Sequence, residues 1–311
     1  MPSSPSSALS DAQLRARFEQ MPLLAGRMQA VEELSGGLTN RNVKIVTADA
    51  VYVARCVDTG RNLLGIDRDH KHANSIAAHR AGVGAPVLDY RPDLGVLLLG
   101  FLDGNTLTDS DFQRSGVIAK AAAAVRALHG GPRFVNTFDM FERQPAYLAT
   151  VLRHGFAMPA DYLDHAEAFA AARQVLTATA PATVPCNNDL LAGNFIEHGE
   201  RMHLIDYEYA GNNDACFELG NIWSECGLDL QQLDELVTCY HGRPLRNRTA
   251  RAHLHGIVAK YGWTLWGCIQ NGSSALEFDF WGWAMERYEG AVAAFRDPGY
   301  ARLLDDVAAC D

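Results

Sequence analysis

No apolar run in this 311-residue chain approaches the ~20 residues that span a bilayer; the stretch Val96–Leu99 is short. A membrane partner is therefore not expected. The opening residues MPSSPSSALSDAQ have neither a basic start nor an apolar core, so no secretory signal is expected and the cytoplasm is the predicted compartment. Basic residues are outnumbered: 27 Lys+Arg against 37 Asp+Glu leave a net charge of −10. A nucleic-acid backbone needs clustered Lys and Arg, so nucleic acid is not an expected partner, whereas a cationic small molecule is compatible. The seven cysteines contain no C-x-x-C pair and read as reduced thiols used as small apolar side chains, not as a zinc framework. His70, His72 and His79 lie in one segment, but no carboxylate or thiol is spaced to complete a ligand set. They are expected on a solvated helix face.

What is present is a globular balance, 48% hydrophobic and 21% charged, in a length that suits two lobes. Residues 1–9 are Pro/Ser-rich, and a capping signal starts a helix over Asp11 to about Met21. Between Val31 and Val57 the period shortens to that of two strands around a turn at Thr47–Asp49, with the glycine-rich SGGLTN before them. A helix over Asp67–Ala81 and a hairpin of Val87–Tyr90 with Val96–Phe101 follow. Beyond Thr106 the pattern is helical over Ile118–Leu128, Tyr147–His154 and Tyr162–Thr177. Two short strands interrupt it within Val184–Tyr209, and helices resume from Ala215 with all five tryptophans. The predicted fold class is α+β and bilobal. A tail and leading helix (1–20) precede a small β-rich lobe (21–102) and a large, mostly helical lobe (103–311).

The chemistry concentrates in CNNDLLAGNFIEHGERMHLIDYEYAG. Asp189 is followed five positions later by Asn194, and Asp206 ends an apolar strand. Phosphoryl transfer uses such a set: one carboxylate to orient and deprotonate a hydroxyl, and an amide and a carboxylate as hard oxygen ligands for magnesium. Alone, D-x-x-x-x-N could equally be two turn residues in a loop. Its context adds weight, because a glycine loop at Ser35–Asn40 and a cation, Arg55, in the strand YVAR precede it in the order of a nucleotide site.

GGLTNRN, YVAR, FLDGNTL, NNDLLAGNF, LIDYEYAGNNDACFELGN and WTLWGCIQ together resemble the choline/ethanolamine kinase family, within the aminoglycoside-phosphotransferase-like kinases. The resemblance covers roughly residues 20–295 and implies a protein-kinase-like fold with ATP and magnesium in the interlobe cleft. It implies that Asp189 is the catalytic base and that Asn194 and Asp206 hold the metal. It places Gly36, Gly37, Leu38, Thr39 and Asn40 over the phosphates, Arg55 as the strand cation, and the backbone of Phe101–Asp103 against adenine. For the acceptor it implies Glu225, Trp263, Trp266 and Trp283 around a small cationic alcohol, choline first. Trp263 and Trp266 share a helix face, whereas of Trp281 and Trp283 only one can join them. Any one tryptophan alone is better explained by a helical core, whereas the set together with Glu225 favours a cage.

Two positions depart from the family pattern. Asn187 stands where the family has a histidine, two residues before Asp189. The helix glutamate that should pair with the strand cation falls on Lys71, which would repel Arg55, with Asp67 and Asp69 as substitute acids. A nucleotide-binding pseudokinase is therefore an alternative. So is an aminoglycoside or other small-molecule phosphotransferase, given Asp229, Asp234, Glu235, Glu277 and Asp279 in the last third of the chain.

Overall fold

The computed structural model describes residues 10–34, 41–56 and 62–309. The small lobe begins with helix α1 (Asp11–Phe18), opened by a capping box between Ser10 and Gln13. Strands β1 (Ala30–Leu34), β2 (Arg41–Val46) and β3 (Val51–Cys56) come next, then helix α2 (Arg68–Arg80) and strands β4 (Val87–Arg91) and β5 (Val96–Gly100). The five strands form one antiparallel sheet in the order β1-β2-β3-β5-β4. The alternating residues Val43 and Ile45 with Tyr52 and Ala54 bury one face against Leu14, Phe18 and Met21 of the α1 region. The expectation of two strands between Val31 and Val57 omitted β1, whose Glu32-Glu33 pair masks the alternation.

The large lobe contains the short strand β6 (Asn105–Thr106) and helices α3 (Val117–His129), α4 (Met140–His154) and α5 (Ala166–Ala178). Four short strands follow: β7 (Val184–Cys186), β8 (Phe195–His198), β9 (Arg201–Leu204) and β10 (Gly211–Asn213). They pair as β10-β7 and β6-β8-β9, two small sheets that hold the intervening loops at the cleft floor. Helices α6 (Ala215–Glu225), α7 (Leu230–His241), α8 (Arg246–Ser273), α9 (Phe280–Arg296) and α10 (Tyr300–Ala308) complete the chain. Nearly every residue of α8 from Ala250 to Gln270 is buried, the signature of a helix running through a core rather than over one. Among the described residues no helix is long and apolar enough to cross a membrane.

Two glycine positions set the geometry of the cleft. At the hinge, Gly104 has φ +145°, and a Cβ there would lie 2.5 Å from the Glu197 carbonyl oxygen. Where α6 crosses α8, a Cβ on Gly220 would lie 2.0 Å from the Ala252 carbonyl oxygen. That crossing fixes the spacing between Glu225 on α6 and the tryptophans on α8. The lobes are also fastened directly. Asn74 of α2 donates to the Ala210 carbonyl and accepts from the Val135 amide, both in the large lobe.

Candidate active site

Between the lobes lies a cleft of about 640 Å³, and it gathers residues far apart in sequence. Its lining includes Arg55, Phe101, Asp189, Asn194, Asp206, Glu225, Trp263, Trp266 and Trp283. Asp103 is not among its lining residues, and the Asp103 carbonyl meets His198 Nδ1 at 2.9 Å. Phe101, Leu102 and Gly104 form the wall there. Gly36, Gly37, Leu38, Thr39 and Asn40 lie outside the described residues.

The floor is the 186–194 loop. Asn187 joins it to the Asp206 strand end: its Nδ2 donates to the carbonyls of Ile205 and Asp206, at 3.0 and 2.9 Å, while its Oδ1 accepts from the Asp189 amide. An amide thus performs the loop-tying that the sequence pattern assigns to a histidine. Asn188 is in the left-handed region at φ +68° and donates to three carbonyls, Cys186, Tyr209 and Gly211. Such a backbone is held only where side-chain bonds over-determine it. Beneath, the buried Glu218 carboxylate accepts from the amides of Asn187 and Asn188. The loop is therefore rigid before any ligand arrives.

Asp189 is carried on this loop with its carboxyl pushed well above the ordinary range, first by burial and then by the negative charges of Asp206, Glu225 and Glu208, against the opposing pull of Arg287. Asn194 donates through Nδ2 to the Asp189 carbonyl at 2.7 Å, which leaves its Oδ1 as a candidate ligand. Asp206, also left-handed at φ +62°, binds Arg55 Nη2 through Oδ2 at 2.5 Å, while its buried Oδ1 has no hydrogen-bond partner among the described residues. A carboxylate oxygen and an amide oxygen lining the same cleft are a fitting donor set for a hard divalent cation.

The expected repulsion between Lys71 and Arg55 is corrected by an acid the sequence reading passed over. Lys71 Nζ pairs with Glu208, two residues beyond Asp206, at 2.6 Å with both side chains buried. Arg55 pairs with Asp206, so the four charges cancel. Burial and the nearby Arg55 pull the Lys71 ammonium down, while Glu208 and Asp206 hold it up. Asp67 and Asp69 do not serve as substitutes, because Asp67 caps α2 and Asp69 accepts from the Tyr90 hydroxyl.

At the other end the wall is aromatic. Trp263 and Trp266 are almost fully buried and stack around Tyr209: the Trp266 indole donates to the Tyr209 hydroxyl at 2.7 Å, and Trp263 meets the Tyr209 ring edge-on at 5.0 Å. Trp283 joins Trp266 at 5.0 Å, whereas Trp281 is exposed. The sequence reading missed Arg287. It follows Trp283 by one helical turn, lies 3.5 Å over that ring, and pairs with Glu225. The W-x-x-x-R spacing on α9 is the signal that could have found it. Asp109 and Tyr209 also line the cleft and were missed, whereas Asp229, Asp234, Glu235, Glu277 and Asp279 do not line it. The polyanionic wall expected of an aminoglycoside site is not built from those five.

A phosphotransferase enzyme family model matches residues 30–253. The structure of a choline/ethanolamine kinase family protein from Mesorhizobium loti superposes with a TM-score of 0.83 at 31% identity, covering 96% of this chain and 98% of that one. Protein LicA of Haemophilus influenzae is 26% identical over 82% of this chain and 77% of its own length. Mouse ethanolamine kinase 1 is 23% identical over 84% of this chain and 83% of its own. The chain, with its bilobal kinase-like fold, belongs to the phosphotransferase enzyme family and, within it, to the choline/ethanolamine kinases.

Proposed function

We propose that this protein transfers the γ-phosphoryl group of ATP, with magnesium, to the hydroxyl of a small cationic amino alcohol, choline in preference to ethanolamine. The carrying observation is that Asp189, Asn194 and Asp206 share one cleft wall with the tryptophan cluster. In this reading Asp189 orients the acceptor hydroxyl and takes its proton; a carboxyl with raised proton affinity suits that task. Asn194 Oδ1 and Asp206 Oδ1 would hold magnesium, which when bound neutralises charge on the phosphates. Arg55 holds Asp206 in place and would meet phosphate oxygens from the cleft. Adenine would sit against Phe101 and Leu102.

The preference for choline follows from the wall chemistry. A primary ammonium needs three acceptors, whereas a trimethylammonium needs polarizable faces. Trp263, Trp266 and Trp283 line that end of the cleft and offer such faces, whereas an indole has no acceptor for a primary ammonium. Glu225 acts in this reading by fixing Arg287, and through it the plane of Trp283.

Incubation with ATP, magnesium and either alcohol, read by mass spectrometry of the product, tests the assignment. Phosphocholine should form, and Asp189→Asn should lower kcat by roughly a thousandfold or more while ATP still binds. Wild-type turnover in that variant, or ATP binding with no product from any amino alcohol, would overturn the reading.

A further inference from the structure

The acceptor end of the cleft contains three carboxylates, and two of them are committed. Asp189 faces the hydroxyl to be phosphorylated in the reading above. Both oxygens of Glu225 are engaged, Oε1 by the Ser224 hydroxyl and Oε2 by the Arg287 guanidinium. Arg287 also covers the face of Trp283, so one cation already occupies part of the aromatic wall. A second, Lys260 of α8, lies over the Trp223 ring at 4.7 Å, and its charge also bears on Glu225. Both Glu225 oxygens are therefore occupied, and Arg287 is shared between Glu225 and Glu286. A substrate ammonium entering there gives up water, which is costly unless a carboxylate with free oxygens faces it.

That carboxylate is Asp109. It opens the 3₁₀ turn Asp109–Gln113 just past the hinge and lines the cleft beside Gly227, which follows the C-terminal end of α6. No hydrogen bond or ion pair holds its carboxylate among the described residues, whereas its neighbour Asp111 caps Thr108 and meets Arg114. It lies near enough to Glu225 and Arg287 to feel both: burial and the Glu225 charge push its carboxyl up, and Arg287 pulls it down. A mobile ammonium would supply the same relief as Arg287 from the substrate side.

We propose that Asp109 is the specificity-determining carboxylate that faces the substrate's ammonium, in place of Glu225, both of whose oxygens are engaged within the protein. The role rests on the amino-alcohol reading. It gives the cage a carboxylate with free oxygens among the described residues, and it places that charge at the exposed edge of the cleft, where an entering cation meets it first.

The test compares choline with its uncharged carbon isostere, in which a tert-butyl group replaces trimethylammonium. Asp109→Asn should raise KM for choline about tenfold and for the isostere less than about twofold, since only the charged acceptor loses a Coulombic partner. Asp109→Glu, which keeps the charge, should hold the choline KM within about threefold of wild type. Equal changes for the two acceptors, no change for choline, or a failure of Asp109→Glu to rescue would overturn the role while leaving the kinase assignment standing. A wild-type protein that phosphorylates no cationic alcohol would overturn the assignment itself, and the role with it.

Discussion

The two ends of the cleft pair their charges in different ways, two cations with two carboxylates at one and a single ion pair within an aromatic wall at the other. At the phosphate end Arg55 and Lys71 are buried beside Asp206 and Glu208, and each cation has its own carboxylate. Order at the charged groups there comes from a neutral quartet that spans both lobes. At the acceptor end Arg287 is paired with Glu225, and the binding surface is the aromatic wall around it. Charge is arranged first at one end and surface first at the other. Damage to the quartet should therefore register in ATP and in stability, and damage to the wall should register in the alcohol.

The largest expected effect is at the quartet. Lys71→Met removes a buried cation from beside Glu208 and should cost about 3–5 kcal/mol in denaturant unfolding, with a raised KM for ATP. Lys71→Glu, which on sequence grounds should have restored an ion pair with Arg55, should be worse, because it sets a second carboxylate against Glu208. A Lys71→Met protein of wild-type stability would dissolve the contrast between the two ends.

Next is the crossing that spaces the acceptor wall. Gly220→Ala forces α6 off the Ala252 carbonyl and should cost about 1–3 kcal/mol or more. Because Glu225 rides on α6, the folded fraction should lose choline affinity while its ATP affinity stays near wild type. Equal loss of both ligands would mean the two ends are not mechanically separate.

Acid stability adds a smaller effect beneath the wall. Asp214, the N-cap of α6, binds Arg251 and His255 of α8. Burial alone would raise its carboxyl, but the hydrogen bond and charge of His255, with the charge of Arg251, hold it well below the usual carboxylate range. A carboxyl depressed by folding contributes stability that is full above its unfolded value of about 3.9 and is lost as pH falls through the folded one. Unfolding free energy should therefore drop on the acid side of pH ~4, and Asp214→Asn should flatten that limb. The smallest effect is expected for Asn187→His, a change of about threefold or less in turnover, since Asn187 already ties the Asp189 loop to the Asp206 strand.

The residues of the cleft were more legible in the sequence than their partners. Asp189, Asn194 and Asp206 could be named from their type and spacing, and the three tryptophans from the family resemblance; all six line the cleft. Helix α2 and the β4–β5 hairpin were legible from period and turn residues, whereas β1 was hidden by its exposed Glu32 and Glu33. What could not be read was pairing across distance. Lys71 and Glu208 are 137 positions apart, and Glu225 and Arg287 are 62 apart, so only the fold reveals that each charge is answered. The doubt raised by Lys71 came from looking for its partner on Arg55's own lobe. Asp109 was invisible for a related reason: an aspartate after a hinge reads as a turn residue until the cleft is seen to open beside it.

The central claim, that the tryptophan wall is a cation site and not only core, is tested most directly by paired calorimetric titration of choline and ATP into folded Trp266→Leu. Leucine keeps much of the apolar volume but removes the ring quadrupole, worth about 0.5–2 kcal/mol to an enclosed cation. The account predicts that choline affinity falls several-fold while ATP affinity is unchanged. Equal losses for both ligands, or no loss for choline, would contradict it and return Trp266 to the core.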